Sequence, residues 1–189
     1  MNASRLLMFG LLSLSYINSA WAADLYPKVY DATYETKTAQ GNMQMHMLSN
    51  GKGLTRTETA MPGGMKMVTI IDMPGHSAQS IMEAQKMIMK APYKGDKGKA
   101  IDTDEAKKLN ATDLGSKLVN GHMCQGWSYK TAQTSTEVWV DKDAGVSVKS
   151  ITTSEKTTTE MNLKTLSTNM PADSNFKVPA SGYKVLATP

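Results

Sequence analysis

A single cysteine, Cys124, stands in this chain of 189 residues. No disulfide can form within the chain, so the fold must be held by a packed core rather than by a cystine framework. Aromatic residues are sparse, at 6%, which leaves the apolar surface to aliphatic and thioether side chains. Past residue 22 no apolar run approaches the roughly 20 residues of a membrane-spanning helix, so the chain is not expected to span a membrane. Catalytic signatures are missing as well. There is no Gly-x-Ser-x-Gly, no His-Glu-x-x-His, no Walker or dinucleotide glycine pattern, and no Cys-x-x-Cys-His haem attachment. The three histidines, His46, His76 and His122, lack metal-type spacing to one another. Lys and Arg number 21 against 17 Asp and Glu. These charges alternate along the chain, which excludes the basic stripe of a nucleic-acid binder. No enzyme and no resident cofactor is expected.

The N-terminus has the three parts of a secretory signal. Arg5 supplies positive charge, Leu6 to Ile17 is apolar, and Ala20-Trp21-Ala22 is a small-x-small cleavage site. Residues 1–22 are therefore read as a signal peptide cleaved after Ala22, and residues 23–189 as a single β-rich domain in an extracytoplasmic compartment. Its length of 167 residues allows a real core, with roughly 70% of the unfolded surface buried on folding.

Short strands dominate that domain. Tyr30, Ala32, Tyr34 and Thr36 alternate with polar residues, Asn50-Gly51 is a hairpin signal, and Gly53 to Ala60 reads as a polar strand with Arg56 and Glu58 on one face. Pro62-Gly63-Gly64 is a turn, and Met65 to Asp72 reads as a strand turned by Pro74-Gly75. Ser77 to Glu83 and Met87 to Lys90 follow. Residues 91–100 form a Gly- and Lys-rich loop, and Thr103 to Leu109 a helix capped by Asp102 or Thr103. The β pattern resumes over 113–119, 122–132, 136–141, 146–153 and 157–166, rich in Thr and Val. Phe176 to Tyr183 reads as an extended tail over the sheet. Roughly ten strands and one helix predict a sandwich or barrel-like antiparallel sheet.

Methionine is the residue in excess: the chain has 15, ten of them from Met43 to Met89. Met43/Met45/Met47, Met65/Met67 and Met87/Met89 recur at period two, so within a strand each group projects from one face. Three readings compete. Met fills irregular cores. A Met-lined sheet also makes a repackable wall for apolar ligands. Thioethers are, third, soft ligands for Cu(I), with His46, His76 and the His122-Met123-Cys124 triplet as further donors. His46 alternates with the Met face and so points away from it. Cys124 reads first as a small buried residue; as a nucleophile beside His122 it lacks an orienting third group.

Five segments, in order, resemble the LolA-like superfamily of exported lipoprotein-carrier-type domains, and in particular a branch whose domain has no assigned function. They are Leu54 to Glu58 (Leu-Thr-Arg-Thr-Glu), Met67 to Asp72 (Met-Val-Thr-Ile-Ile-Asp), Asn120 to Trp127 with its Gly-x-x-Cys, Glu137 to Gly145 with Trp-Val-Asp, and the closing Phe176 to Tyr183. The resemblance implies a mainly β fold: a strongly curved antiparallel sheet, an open half-barrel, with one or two short helices and an apolar cavity. It also implies a periplasmic location and acyl chains of lipids or lipoproteins as ligands. The chain departs from that pattern in having few helices to form a lid and a wall of Met rather than aromatics.

The expected function is therefore an exported binding protein that holds a lipid, acyl chain or other apolar small molecule on a Met-lined concave sheet. Its site residues would be Met43, Met45, Met47, Met65, Met67, Met87 and Met89, with Trp127 and Tyr129 at the rim. A second reading is copper(I) binding or protection through Met thioethers and His46, with Met65 and Met67. A third is an envelope subunit whose groove receives a partner protein. Replacing Met43, Met45 and Met47 by Leu separates the first two, because Leu keeps an apolar wall but removes the sulfur.

Overall fold

A computed structural model describes residues 26–39, 41–60, 63–95 and 100–187. The signal-peptide segment 1–22, Pro62 of the glycine turn and part of the 91–100 loop lie outside the described residues. The elements run β1 (Val29–Thr38), β2 (Gly41–Asn50), β3 (Leu54–Ala60), β4 (Lys66–Asp72), β5 (Ser77–Met82), β6 (Met87–Pro92), α1 (Thr103–Lys108), β7 (Thr112–Val119), β8 (His122–Lys130), β9 (Thr134–Asp141), β10 (Ser147–Ser154), β11 (Thr158–Ser167), a 3-10 turn (Asp173–Phe176) and β12 (Lys184–Ala187). All twelve strands join one open, curved sheet in the order β12-β6-β5-β4-β3-β2-β1-β11-β10-β9-β8-β7.

The sheet is two meanders closed by a β1–β11 pairing. Every pair is antiparallel except β12 with β6, which is parallel. Three register shifts interrupt the ladders, at Thr33/Tyr34 against β11, at Ser147/Lys149 against β9, and at Asp113/Gly115 against β8. Such bulges increase local twist and bend the bulged strand, which is how a sheet of this width curls rather than lying flat. Gly115 adopts φ +75° at the third of them, a conformation that costs glycine little.

Residues directly opposite on paired strands share a face, so the registers sort the side chains. On one face Tyr30, Ala32 and Tyr34 of β1 are buried with Leu163 of β11, and Met45, Met47, Met161 and Leu166 pack against this cluster. The same face of β8 and β9 carries Trp127, Val138 and Val140, covered by Ala106 of α1. Helix α1 forms there because Asp102 caps it, its carboxylate accepting from the backbone N–H groups of Asp104 and Glu105. Acidic residues fill the first turn and Lys107 and Lys108 the last, as the helix dipole favours.

The opposite face has its own apolar patch. Val68, Ile70, Ile81 and Ile88 are buried on β4–β6 with Val178 and Tyr183 packed against them. The expected extended tail is thus a strap with a 3-10 turn, and it ends in an edge strand. The sequence carries no signal for that ending, because Lys184–Ala187 is short and exposed and has no burial periodicity of its own. It is placed by Tyr183, whose hydroxyl donates to Glu83 and whose ring lies 5.1 Å from the Lys86 ammonium. Between the strap and the β7 edge the opposite face is largely charged, with Arg56 and Lys66 on Glu58, Lys164 on Glu35 and Lys149 on Glu160.

One close approach on this face is diagnostic. Trp139 lies opposite Gly126, and a Cβ at Gly126 would sit 2.5 Å from the indole. The ring lies over the glycine with the Lys117 ammonium 3.6 Å from its centroid and its N–H donating to Glu137 at 2.7 Å. Gly126→Ala is expected to destabilise by about 1–3 kcal/mol through overpacking, read as a lower urea midpoint. An unchanged midpoint would show that the indole moves aside freely.

Candidate ligand-binding face

The methionines of β2, β4 and β6 share the helix-bearing face. One row of directly opposed residues runs Tyr34–Met45–Thr59–Met67–Met82–Met87 across β1 to β6. The next runs Ala32–Met47–Thr57–Thr69–Ser80–Met89. A third joins the wings of the sheet: Met43–Thr36–Met161–Ser150–Val138–Trp127. Met43, Met45, Met47, Met67, Met82 and Met87 are half-buried and Met89 is exposed. Met65 lies one residue before β4 and is 49% exposed, outside the strand expected to hold it. The strand begins a residue later because Gly63 and Gly64, both at positive φ, still belong to the turn.

Trp127 is not at a rim. It is 8% exposed, enclosed by Ala106, Val138 and Val140, with Tyr129 packed alongside. The sequence reading put it at the rim; its cover comes from Ala106 of α1, the helix that precedes β7 and β8. Two cavities lie on this face. One, of about 370 Å³, is lined by Trp127, Val140, Ile101 and Gln125 among others. The second, of about 160 Å³, is lined by Tyr30, Tyr34, Met47 and Met161. Both are also lined by Pro27, Ala100 and Gly145, so the two cavities are neighbours. Burial pushes the Tyr30 phenol up to about 12. Burial, with Tyr30 as neighbour, also pushes Tyr34 up, so both phenols stay neutral at neutral pH, while Lys28, Asp102, Asp141 and Lys142 put charge on the wall of the larger cavity.

Tyr30, Tyr34, Met82, Met161, Ala100 and Gly145 belong to this face but not to the expected site. The alternation of β1 signalled the tyrosines. Met82 was signalled only by symmetry: it and Met87 flank a four-residue turn and face each other across the hairpin.

His46 is on the other face, as its alternation implied. Its Nε2 is 2.7 Å from Asp31 Oδ1 and it lies opposite Glu58. It lines a polar hollow of about 470 Å³ with Glu35, Glu58 and Lys164. A copper site combining His46 with Met65 and Met67 is therefore not assembled: His46 and Met67 lie on opposite faces of the sheet, and Met65 lies outside β4. Cys124 is free and fully buried, its thiol donating to the backbone carbonyl of His122 at 3.4 Å. Asp141 supplies the third group missing from the sequence, 2.8 Å from His122 Nδ1. The set is not an activated nucleophile. Burial and the Asp141 charge push the thiol pKa up, whereas a reactive cysteine needs it lowered.

The carboxylate of Asp141 instead closes the β9–β10 turn, accepting from the N–H groups of Asp143 at 2.8 Å and Ala144 at 2.7 Å. A family profile for a domain of unknown function, DUF4412, matches residues 32–146. The chain belongs to the DUF4412 family. The matched span runs from β1 through the β9–β10 turn and so contains the Met strands, α1 and Trp127. The open curved antiparallel sheet with one short helix is the architecture that the sequence motifs implied.

Solved structures agree on the fold. An uncharacterised conserved protein from Thermus thermophilus superposes with a TM-score of 0.65 at 11% identity, covering 85% of this chain and 91% of that one. MucB, in the Pseudomonas aeruginosa MucA/MucB complex, gives 0.56 at 15% identity, over 85% of this chain and 58% of that one. PNGF-II gives 0.53 at 12% identity, over 85% of this chain but only 31% of the other. No curated protein matches the chain by sequence. Among the described residues no helix is long and apolar enough to cross a membrane.

Proposed function

We propose that this DUF4412 protein is an exported, periplasmic, non-enzymatic binding protein that holds an apolar ligand of the lipid or acyl-chain class on its helix-bearing face. The observation that carries the reading is the pair of neighbouring cavities that share Pro27, Ala100 and Gly145, which we read together as one trough. It is lined by Trp127 and by the half-buried Met47, which belongs to the Met rows. A chain of methylenes laid along it would gain roughly 0.8 kcal/mol per buried CH₂. Unbranched, polarizable Met side chains can repack around chains of different length. The secretory pattern of residues 1–22 supports export, and the LolA-like fold supports the carrier role.

Native mass spectrometry of protein isolated from its export compartment without detergent should show organic mass that is lost on denaturation. Met47→Lys, which places a charge in the wall, is expected to weaken binding of a fluorescent long-chain fatty acid at least tenfold. The triple replacement of Met43, Met45 and Met47 by Leu should retain it. Thermal unfolding of each variant separates lost binding from lost fold. A bare mass together with no saturable fatty-acid binding would overturn the reading. A fixed polypeptide on the same face would instead place this chain with MucB, which is solved in complex with MucA.

A further inference from the structure

The strands β4, β5 and β6 have two faces of different chemistry. On the strap-covered face the opposed row is Val68–Ile81–Ile88, and on the helix-bearing face one residue away it is Met67–Met82–Met87. The branched row sits in a closed core at 8%, 4% and 2% exposure. Branched side chains are what strands favour, so an apolar lining alone does not account for Met in every position of the other row. Nor is the Met row part of a continuous apolar wall. Its neighbours on the same face include hydroxyls, Thr59 of β3, Thr69 of β4 and Ser80 of β5, with the Thr69 and Ser80 hydroxyls 3.2 Å apart, alongside Met89 and Leu186.

What the row does present is three thioether sulfurs on adjacent strands. Directly opposed residues have Cβ atoms about 4.5–5.5 Å apart, and each Met has three rotatable bonds. Sulfurs from β4 and β6 can therefore meet above Met82. Met89 stands one row away opposite Ser80, and Met45 lies beyond Thr59. No carboxylate or imidazole of β2–β6 faces this side, since His46 and Glu58 are on the other. The one charge in the row is Lys184, exposed and opposite Met87 on the edge strand.

We infer that Met67, Met82 and Met87 form a site for a soft monovalent cation, Cu(I), on the open half of this face. It is a site separate from the trough and needs no histidine. Neutral thioether donors without a hard or anionic partner select a soft, singly charged ion over Zn²⁺, Cu²⁺ or Ca²⁺. Lys184 opposes the ion's charge, so Lys184→Gln tightens binding.

The test is an anaerobic titration of the full-length mature protein with Cu(I) against a chromophoric Cu(I) chelator. One equivalent is expected to bind. Replacing Met67, Met82 and Met87 together by Leu should weaken it at least tenfold, while the Met43/Met45/Met47→Leu variant stays within about twofold of the parent. X-ray absorption should show a sulfur-only shell. Thermal unfolding of the Met67/Met82/Met87→Leu variant is the control for folding, and fatty-acid binding by the parent is the separate readout of the carrier reading. Unchanged Cu(I) affinity in that variant, no binding in the parent, or a nitrogen shell would each overturn the site whatever the fatty-acid result. Absent fatty-acid binding with Cu(I) binding intact would overturn the carrier reading alone.

Discussion

A chain ending at Ser167 should unfold several kcal/mol more easily than the full chain and bind hydrophobic dyes. Truncation there removes Val178 and Tyr183 from Val68, Ile70, Ile81 and Ile88. It also removes the buried Phe176 and strips β12 from the β6 edge. Fully burying one such aliphatic side chain contributes about 1.5–3 kcal/mol, and a domain's whole stability is about 5–15 kcal/mol. Even partial exposure of four residues is therefore a large fraction. The uncovered strand edge adds a template for aggregation. A milder probe is Phe176→Ala, with an expected cost of about 3–5 kcal/mol. Thermal unfolding followed by circular dichroism checks both. If the truncated chain melts at the parent's temperature, the strap is not part of the core. Fatty-acid binding by Phe176→Ala below its melting temperature should be unchanged, since the strap and the trough are on opposite faces.

The second large effect is at Asp141, 8% exposed at the end of β9. Its carboxylate accepts from two backbone N–H groups and from His122, and its residue pairs with buried Cys124 across the ladder. Asp141→Ala leaves those donors without their acceptor in a largely closed site, for an expected cost of about 2–3 kcal/mol. Burial by itself raises the Asp141 pKa. The Ala144 N–H, the His122 ring and the Asp143 N–H outweigh it, and the net shift is downward from the ordinary 3.8. A depressed folded-state pKa means that the stabilisation is fully present above the ordinary carboxylate value. It is lost as pH falls through the lower folded value. Glu58 acts in the same sense: its burial is outweighed by hydrogen bonds from Lys66 and Arg56. Urea midpoints measured downward from pH 6 should therefore decline below about pH 4. In Asp141→Asn the decline should be shallower; an equally steep fall would assign the acid sensitivity elsewhere.

Much of the fold was legible because strand signals are local. Period-two alternation put Tyr30, Ala32, Tyr34 and Thr36 on one face of β1. Asn50-Gly51 marked a hairpin turn, and Asp102 marked the start of α1. The same alternation sent His46 away from Met45 and Met47, and the structure pairs it with Asp31 instead. These inferences need only the pleat and the turn, both set by neighbours in the chain.

What residues far apart in sequence do together was not legible. That Trp127 sits under Ala106, and that the hydroxyl of Tyr183 reaches Glu83, depends on contacts between distant segments. The sequence by itself determined a single cysteine, an unusual store of methionine, a β-rich chain and the shared face of Met43, Met45 and Met47 and of Met87 and Met89. Tertiary structure alone decided that the methionines of β2, β4, β5 and β6 fall in register, that Val178 and Tyr183 cover the opposite face, and that two neighbouring cavities share Pro27, Ala100 and Gly145. The reason is physical: alternation follows from the backbone geometry of one strand, whereas register, cover and cavity arise from closing the sheet through its bulges and its β1–β11 pairing.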